Sequence, residues 1–245
     1  MDKKRNSVEF KIMGRYAMFA DPVTRVGGEK FSYQIPTYQA LKGILESVYW
    51  KPTFIWHIDA VRVMKKIQTE SKGIKPIKMS GGNDLSYYTY LRDVEYQVLA
   101  HFEWNEYRKN LEADRNEHKH HNIAKRSIKK GGRRDVFLGT RECQGYVEPC
   151  VFGEGNSFYR DYGGLDFGVQ FHGYDYPDET GKNELVVRLW RAKMKDGLIK
   201  YPMPKDCDPS LRRFIRKMTA KKFEKDRNFS LIDNDPAVTD LLLEE

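Results

Sequence analysis

Between Asp114 and His121 the chain reads Asp-Arg-Asn-Glu-His-Lys-His-His, so three of its six histidines fall within four positions. Imidazole can hold or release a proton near neutral pH, its free pKa being about 6.5. The cluster stands where a basic helix begins, and a helix N-terminus favours a bound anion. Lys119 adds a fixed positive charge. These are the parts of a site that handles a phosphodiester: a proton shuttle, a cation for the charge on the phosphorane, and amide donors. RNA carries its own nucleophile, the 2′-hydroxyl, so cleaving it this way needs no metal. Two plainer readings compete, a metal-scavenging surface patch and a solvated helix face that only binds phosphate. A zinc site would want a Cys or a distant His at suitable spacing, and Cys143, Cys150 and Cys207 form no CxxC pair. On these residues alone phosphate binding ranks first, catalysis second and a metal third.

The next element is Lys129-Lys130-Gly131-Gly132-Arg133-Arg134-Asp135, followed by Gly139-Thr140-Arg141. Paired glycines let a backbone approach a ligand closely, and arginines beside them can fork onto phosphate oxygens. No GxxxxGK[ST] run is present, so this is not a P-loop. With Arg115, Lys125 and Arg126 the residues Lys129, Lys130, Gly131, Gly132, Arg133, Arg134 and Arg141 make up the candidate RNA-binding set. Tyr49, beside Trp50 and before Pro52, either points into a groove or packs.

Charge supports a polyanion partner. The 245 residues hold 43 Lys+Arg against 35 Asp+Glu, a net +8. Nine of the cations lie between Arg115 and Arg141, and eight more between Leu211 and Arg227. The tail from Asn228 onward has five acids and no Lys or Arg. Clustered cations gain counterion-release free energy on a phosphate chain. The bland alternative is a solvated charged face. The N-terminus lacks the apolar core of a signal peptide, no apolar run is long enough to span a bilayer, and the odd, unpaired cysteine count fits a reducing compartment. A cytoplasmic location is the expectation.

The elements that must position these residues are legible in outline. Val8, Phe10 and Ile12 alternate with charged residues as a half-buried strand. Pro36-Thr37 opens a helix with Thr37 as N-cap, and Pro52 stops it after Tyr49 and Trp50. Thr53 to Ile67 reads as a strand, Ser80-Gly-Gly-Asn83 as a turn, and Leu85 to Trp104 as one or two strands. Arg115 to Lys130 is a basic helix with a thin stripe at Ile123, Ala124 and Ile128, ended by Gly131-Gly132. Val136 to Val147 is extended. The order strand, helix, strand, strand, helix, strand is the ferredoxin-like, split-βαβ order that RNA-recognition-type domains share. After Cys150 come a Gly- and Tyr-rich loop and three strands, with Asp196-Gly197 as a hairpin turn. Asp208-Pro209 then opens a basic helix with Leu211, Phe214, Ile215 and Met218 on one face. The expected class is α+β: a ferredoxin-like domain over 1–150 and, over 151–245, a small antiparallel sheet, that basic helix and the acidic tail.

The segment Gly27–Pro52, the run Ile67-Gln-Thr-Glu-Ser-Lys-Gly73, the stretch Gly131–Gly145 and Tyr176-Pro-Asp-Glu-Thr-Gly181 together resemble the type I-C CRISPR endoribonuclease family, the d variant of the fifth Cas protein family in the RAMP superfamily. The resemblance runs from about Phe10 to about Tyr201. It implies an enzyme that cuts the repeat hairpins of precursor CRISPR RNA without a metal ion or other cofactor. It implies that the protein stays on the 5′ handle of the mature guide RNA, beside the other subunits of a surveillance complex. The family's catalytic tyrosine falls on Tyr49 and its Lys-His pair on Lys119-His120, with His118 and His121 as flanking departures. A non-catalytic subunit capping the 5′ handle is the second reading, and the joint presence of Tyr49, Lys119 and His120 favours the enzyme. A double-stranded DNA binder is the third, and needs only the charge.

Overall fold

The computed structural model describes residues 4–22, 24, 28–225 and 227–235; residues 25–27 of the Gly-rich connector and the acidic tail after Asp235 lie outside them. Strand β1 (Val8–Ala17) turns Val8, Phe10 and Ile12 into the core, as their alternation requires. Helix α1 (Tyr38–Val48) starts where Thr37 Oγ1 accepts from the Ala40 amide at 3.1 Å. Its buried stripe is Tyr38, Leu41, Ile44, Leu45 and Val48, and Tyr49 leaves the helical conformation. Strand β3 (Phe54–Val63) pairs antiparallel with β5 (Ser86–Trp104), the long central strand. Between them β4 (Thr69–Ile74) folds back on β5, and Gly81 and Gly82 take positive φ in the intervening turn. The short β2 (Lys30–Phe31) pairs parallel with β5.

Helix α2 (Glu117–Lys129) is capped by Asn116, whose side chain accepts from the Lys119 amide, and it buries Ile123, Ala124 and Ile128. It stops where Gly131 and Gly132 enter positive φ and the Gly132 amide donates to Ser127 O. The chain then makes β6 (Val136–Phe137) and β7 (Gln144–Pro149), and β7 pairs with β1. The central order is β3-β5-β1-β7, antiparallel at each step. Both helices pack on it and on each other, and their stripes share one core with Phe10, Phe54, Trp56, Val98 and Phe102. The protein is thus an α+β fold dominated by antiparallel sheet.

Beyond residue 150 follow β8 (Gly164–Asp175), the single turn α3 (Pro177–Thr180), β9 (Glu184–Lys195) and β10 (Leu198–Lys200). Asp196 and Gly197 both have positive φ, which makes the β9–β10 connection the two-residue hairpin expected from their types. Two expectations need correction. These strands are no separate small sheet: β10 pairs with β3, so among the described residues the sheet runs on through β10, β9 and β11. The expected basic helix after Asp208-Pro209 is instead a 3-10 turn over Pro209–Leu211, followed by strand β11 (Arg212–Lys217) on the edge of the sheet. Asp208 does cap the turn, through the Ser210 amide at 2.8 Å. Pairing with β9 then outweighs local helical spacing. Phe214 and Ile215, which the helix would have buried, remain exposed.

Gly139 lies in the β6–β7 turn at φ +100°, and a Cβ there would meet Met18 O at 1.9 Å. Gly139→Ala should lower stability by about 2 kcal/mol or more, combining strain and overpacking. Gly43 lies inside α1, and a Cβ added there would meet open space. Gly43→Ala should therefore raise stability by about 0.5–1 kcal/mol. Urea unfolding midpoints of the two variants should move in opposite directions.

Candidate active site

The site forms where the end of α1 meets the start of α2. Tyr49, just past α1, donates its hydroxyl to Nδ1 of His120 at 2.8 Å. The other ring nitrogen, Nε2, lies 2.8 Å from the backbone carbonyl of Asp114, which can only accept. Nε2 therefore carries a proton, which leaves Nδ1 to face the Tyr49 hydroxyl. Both side chains are buried, with Phe54 and Trp104 set edge-on to the imidazole. Burial pushes the Tyr49 phenol well above its usual range; the Asp235 and Asp114 carboxylates add to this, and Arg133 opposes it. Tyr49 thus stays protonated and serves as a donor or relay. It lines a cleft of about 470 Å³ together with Lys51, Arg133, Arg134 and the 228–235 segment.

Asp114 holds the back of this arrangement. Its carboxylate accepts from Thr53 Oγ1 at 2.5 Å and from the Ile232 amide, and Oδ2 lies 3.6 Å from His120 Nε2. Burial works against its charge, but the hydrogen bonds from His120, Thr53 and Ile232 outweigh it and hold the carboxyl below its usual range.

The histidine cluster splits three ways, as successive helical positions require. His120 points inward, His118 meets Arg5 at 2.6 Å, and His121 Nε2 donates to Ser7 O at 2.9 Å. Lys119 is partly exposed and is paired with Asp233. The Gly131-Gly132 turn brings Arg133 to the site, where its amide donates to Val48 O and its guanidinium lies 5.6 Å from the Tyr49 ring centroid. Arg134 lines the same cleft. Lys125, Lys129, Lys130 and Arg141 are exposed, Arg126 is half-buried, and Gly131 and Gly132 act through the turn itself. Arg115 departs from the set: it is turned back onto Asn105 O and Glu106 and braces the end of β5. Among the described residues no group of three His, Cys, Asp or Glu side chains is placed to hold a metal ion, and no helix is long and apolar enough to cross a membrane.

Sequence reasoning overlooked Asp114, Thr53, Lys51 and the two carboxylates Asp233 and Asp235 as parts of the site. The only signals were the aspartate opening the histidine cluster and an acidic tail following two basic blocks.

Because the Asp114 carboxyl is lowered on folding, the stability it contributes is present above the ordinary value of about 3.9 and is lost as pH falls through its lowered value. Asp114→Asn should cost about 1.5–3 kcal/mol near neutral pH, the range for charge-assisted hydrogen bonds. It should also flatten the acid limb of the stability curve. Urea unfolding of both proteins from pH 7 down to about pH 3 measures this; parallel acid limbs would contradict it.

A family model described as CRISPR-associated protein (Cas_Cas5), of the Cas5d branch, matches residues 7–202. A protein of Mannheimia succiniciproducens named CRISPR pre-crRNA endoribonuclease Cas5d is 27% identical over 229 residues, 80% of this chain and 95% of its own length. Its namesake from Thermus thermophilus is 25% identical over 223 residues, 81% of this chain and 92% of the relative. Among solved structures, one titled as a CRISPR-associated protein superposes with TM-score 0.72 at 37% identity, covering 84% of this chain and 96% of the other. A Streptococcus mutans protein described as functionally uncharacterized gives 0.71 at 39% identity over the same shares. A match of that span, with relatives aligned over nearly all of their length, makes this chain a member of the Cas5d family of CRISPR-associated proteins.

Proposed function

We propose that this protein cuts precursor CRISPR RNA within its repeat hairpins by attack of the RNA's own 2′-hydroxyl, without a metal ion. It then holds the 5′ handle of the mature guide RNA beside the other subunits of a type I-C surveillance complex. The observation that carries this is the Tyr49–His120 hydrogen bond, a buried pair suited to proton transfer, with Lys119 next to His120 in the chain and Arg133 and Arg134 on the cleft that Tyr49 borders. Two Cas5d relatives named pre-crRNA endoribonucleases support the reaction. The antiparallel order β3-β5-β1-β7 with two packed helices supports a ferredoxin-like reading of the first 150 residues.

The roles follow from the chemistry. Of the pair, only Tyr49 is among the residues that border the cleft. Its hydroxyl donates to His120 Nδ1, so its lone pairs can accept from the 2′-hydroxyl and pass the proton inward. His120 holds that proton as an imidazolium, which the Asp114 carboxylate behind it stabilises, until the phosphorus–O5′ bond breaks and the departing 5′-oxygen takes the proton up. Lys119 neutralises the phosphorane. Arg133 and Arg134 hold flanking phosphates. The capping subunit without catalysis would not need the Tyr49–His120 pair, and the double-stranded DNA reading rests on charge alone.

Cleavage of a repeat hairpin should proceed in EDTA and leave a 2′,3′-cyclic phosphate or 3′-phosphate. A single 2′-deoxy substitution at the scissile nucleotide should stop the cut while binding persists. His120→Ala should slow single-turnover cleavage by about two to four orders of magnitude. His118→Ala and His121→Ala should stay near the parent rate, since those rings face Arg5 and Ser7. A cut deoxy substrate, or His120→Ala at full speed with intact folding by circular dichroism, would sink the mechanism.

Affinity should fall steeply with salt. Changing Arg133 and Arg134 together to Gln should weaken binding and reduce the slope of log affinity against log salt by about one to two, since each lost phosphate contact removes nearly one released counterion. An unchanged slope would mean that these arginines contact no phosphate.

A further inference from the structure

The cations of the site already hold anions, and those anions belong to the chain itself. The segment 228–235 returns to the junction of α1 and α2, with Phe229 and Ile232 buried. Its backbone is anchored by Lys51 Nζ on Ser230 O at 3.0 Å and by the Ile232 amide on Asp114. Its two aspartates lie on cations. Asp233 sits on Lys119. Asp235, only 4% exposed, accepts from both terminal nitrogens of Arg133 at 3.3 Å and from Lys51 Nζ at 3.0 Å. A carboxylate taken by an arginine fork and an ammonium together is the arrangement that also holds a phosphate. A segment that merely covered apolar surface would not need its carboxylates on the charges that RNA cleavage uses.

We propose that Lys51 and Arg133 form a phosphate subsite beside the Lys119 position, and that Asp235 and Asp233 fill these two places as a substrate mimic which the RNA backbone must displace. This rests on the RNA-cutting reading above. Lys51 joins the RNA-binding residues, and segment 228–235 sets the threshold for binding: RNA gains the site only by exchanging its phosphates for these carboxylates.

The test uses full-length Asp233→Asn/Asp235→Asn protein and a repeat hairpin carrying the 2′-deoxy block, with affinity read by fluorescence anisotropy across a salt series. Affinity should rise about fivefold to tenfold, the equivalent of one or two modest ion pairs. The salt slope should steepen by about one to two as the freed cations meet phosphates. In the Asp235→Asn background, Lys51→Gln should then lose about fivefold in affinity, with the slope falling by about one. A segment of purely structural role would lower the unfolding midpoint without tightening RNA. If the double variant does not fold, Asp233→Asn alone, at a side chain 63% exposed, should still tighten binding about twofold. Affinity equal to or weaker than the parent's in the folded variant overturns the mimic, and an unaffected Lys51→Gln overturns the subsite. A parent protein that cuts and binds the hairpin while these variants match it removes this inference alone. A parent that neither binds nor cuts removes it together with the function it rests on.

Discussion

His120 is held by both ring nitrogens at once, between the Tyr49 hydroxyl and the Asp114 carbonyl, and the geometry of the site depends on that double restraint. An imidazole buried among Phe54, Phe102 and Trp104 cannot leave either nitrogen unpaired without a desolvation cost of about 1–3 kcal/mol. The line of polar contacts therefore extends until every member is satisfied: Tyr49 after α1, His120 on α2, Asp114 in the preceding turn, Thr53 at the start of β3, and Ile232 near the C-terminus. Five separate parts of the chain are brought to one point by it. In a low-dielectric interior such a network is rigid when complete and costly when broken, so it holds the Tyr49 and His120 rings in one orientation.

The basic character of the protein divides along the same boundary between inside and outside. Arg115 and Arg212 serve the fold, the first at the end of β5 and the second on Asp175 and nearby carbonyls. Lys125 and Lys129 on α2 and Lys130 at its C-terminal cap are exposed. Arg133 and Lys51 stand between these groups, paired with Asp235 at the rim of the cleft beside Tyr49. Net charge alone therefore overstates what is open to a polyanion. The cations beside Tyr49 are those already bonded to carboxylates, so on the proposed reading a polyanion meets exchange there as well as attraction.

What the sequence by itself determined are features settled within a few residues of backbone. Thr37 caps α1, Asn116 starts α2, Gly131-Gly132 end it and Asp196-Gly197 turn a hairpin, because the partner in each case is an amide or carbonyl no more than about five positions away. The alternation of β1 and the stripes of α1 and α2 likewise follow from local periodicity. The pairing of Tyr49 with a histidine near Lys119 was anticipated only through family resemblance, since no local pattern links positions 71 residues apart. Tertiary structure decided the rest. It made Arg212–Lys217 an edge strand against its helical spacing, because β9 offered a ladder of hydrogen bonds that a helix would leave empty. It joined the C-terminal strands to β3, chose the inward imidazole among three, and laid Ile232, Asp233 and Asp235 over residues more than 100 positions earlier. Those outcomes turn on which buried polar groups find partners across the whole chain, a condition that no short window of sequence contains.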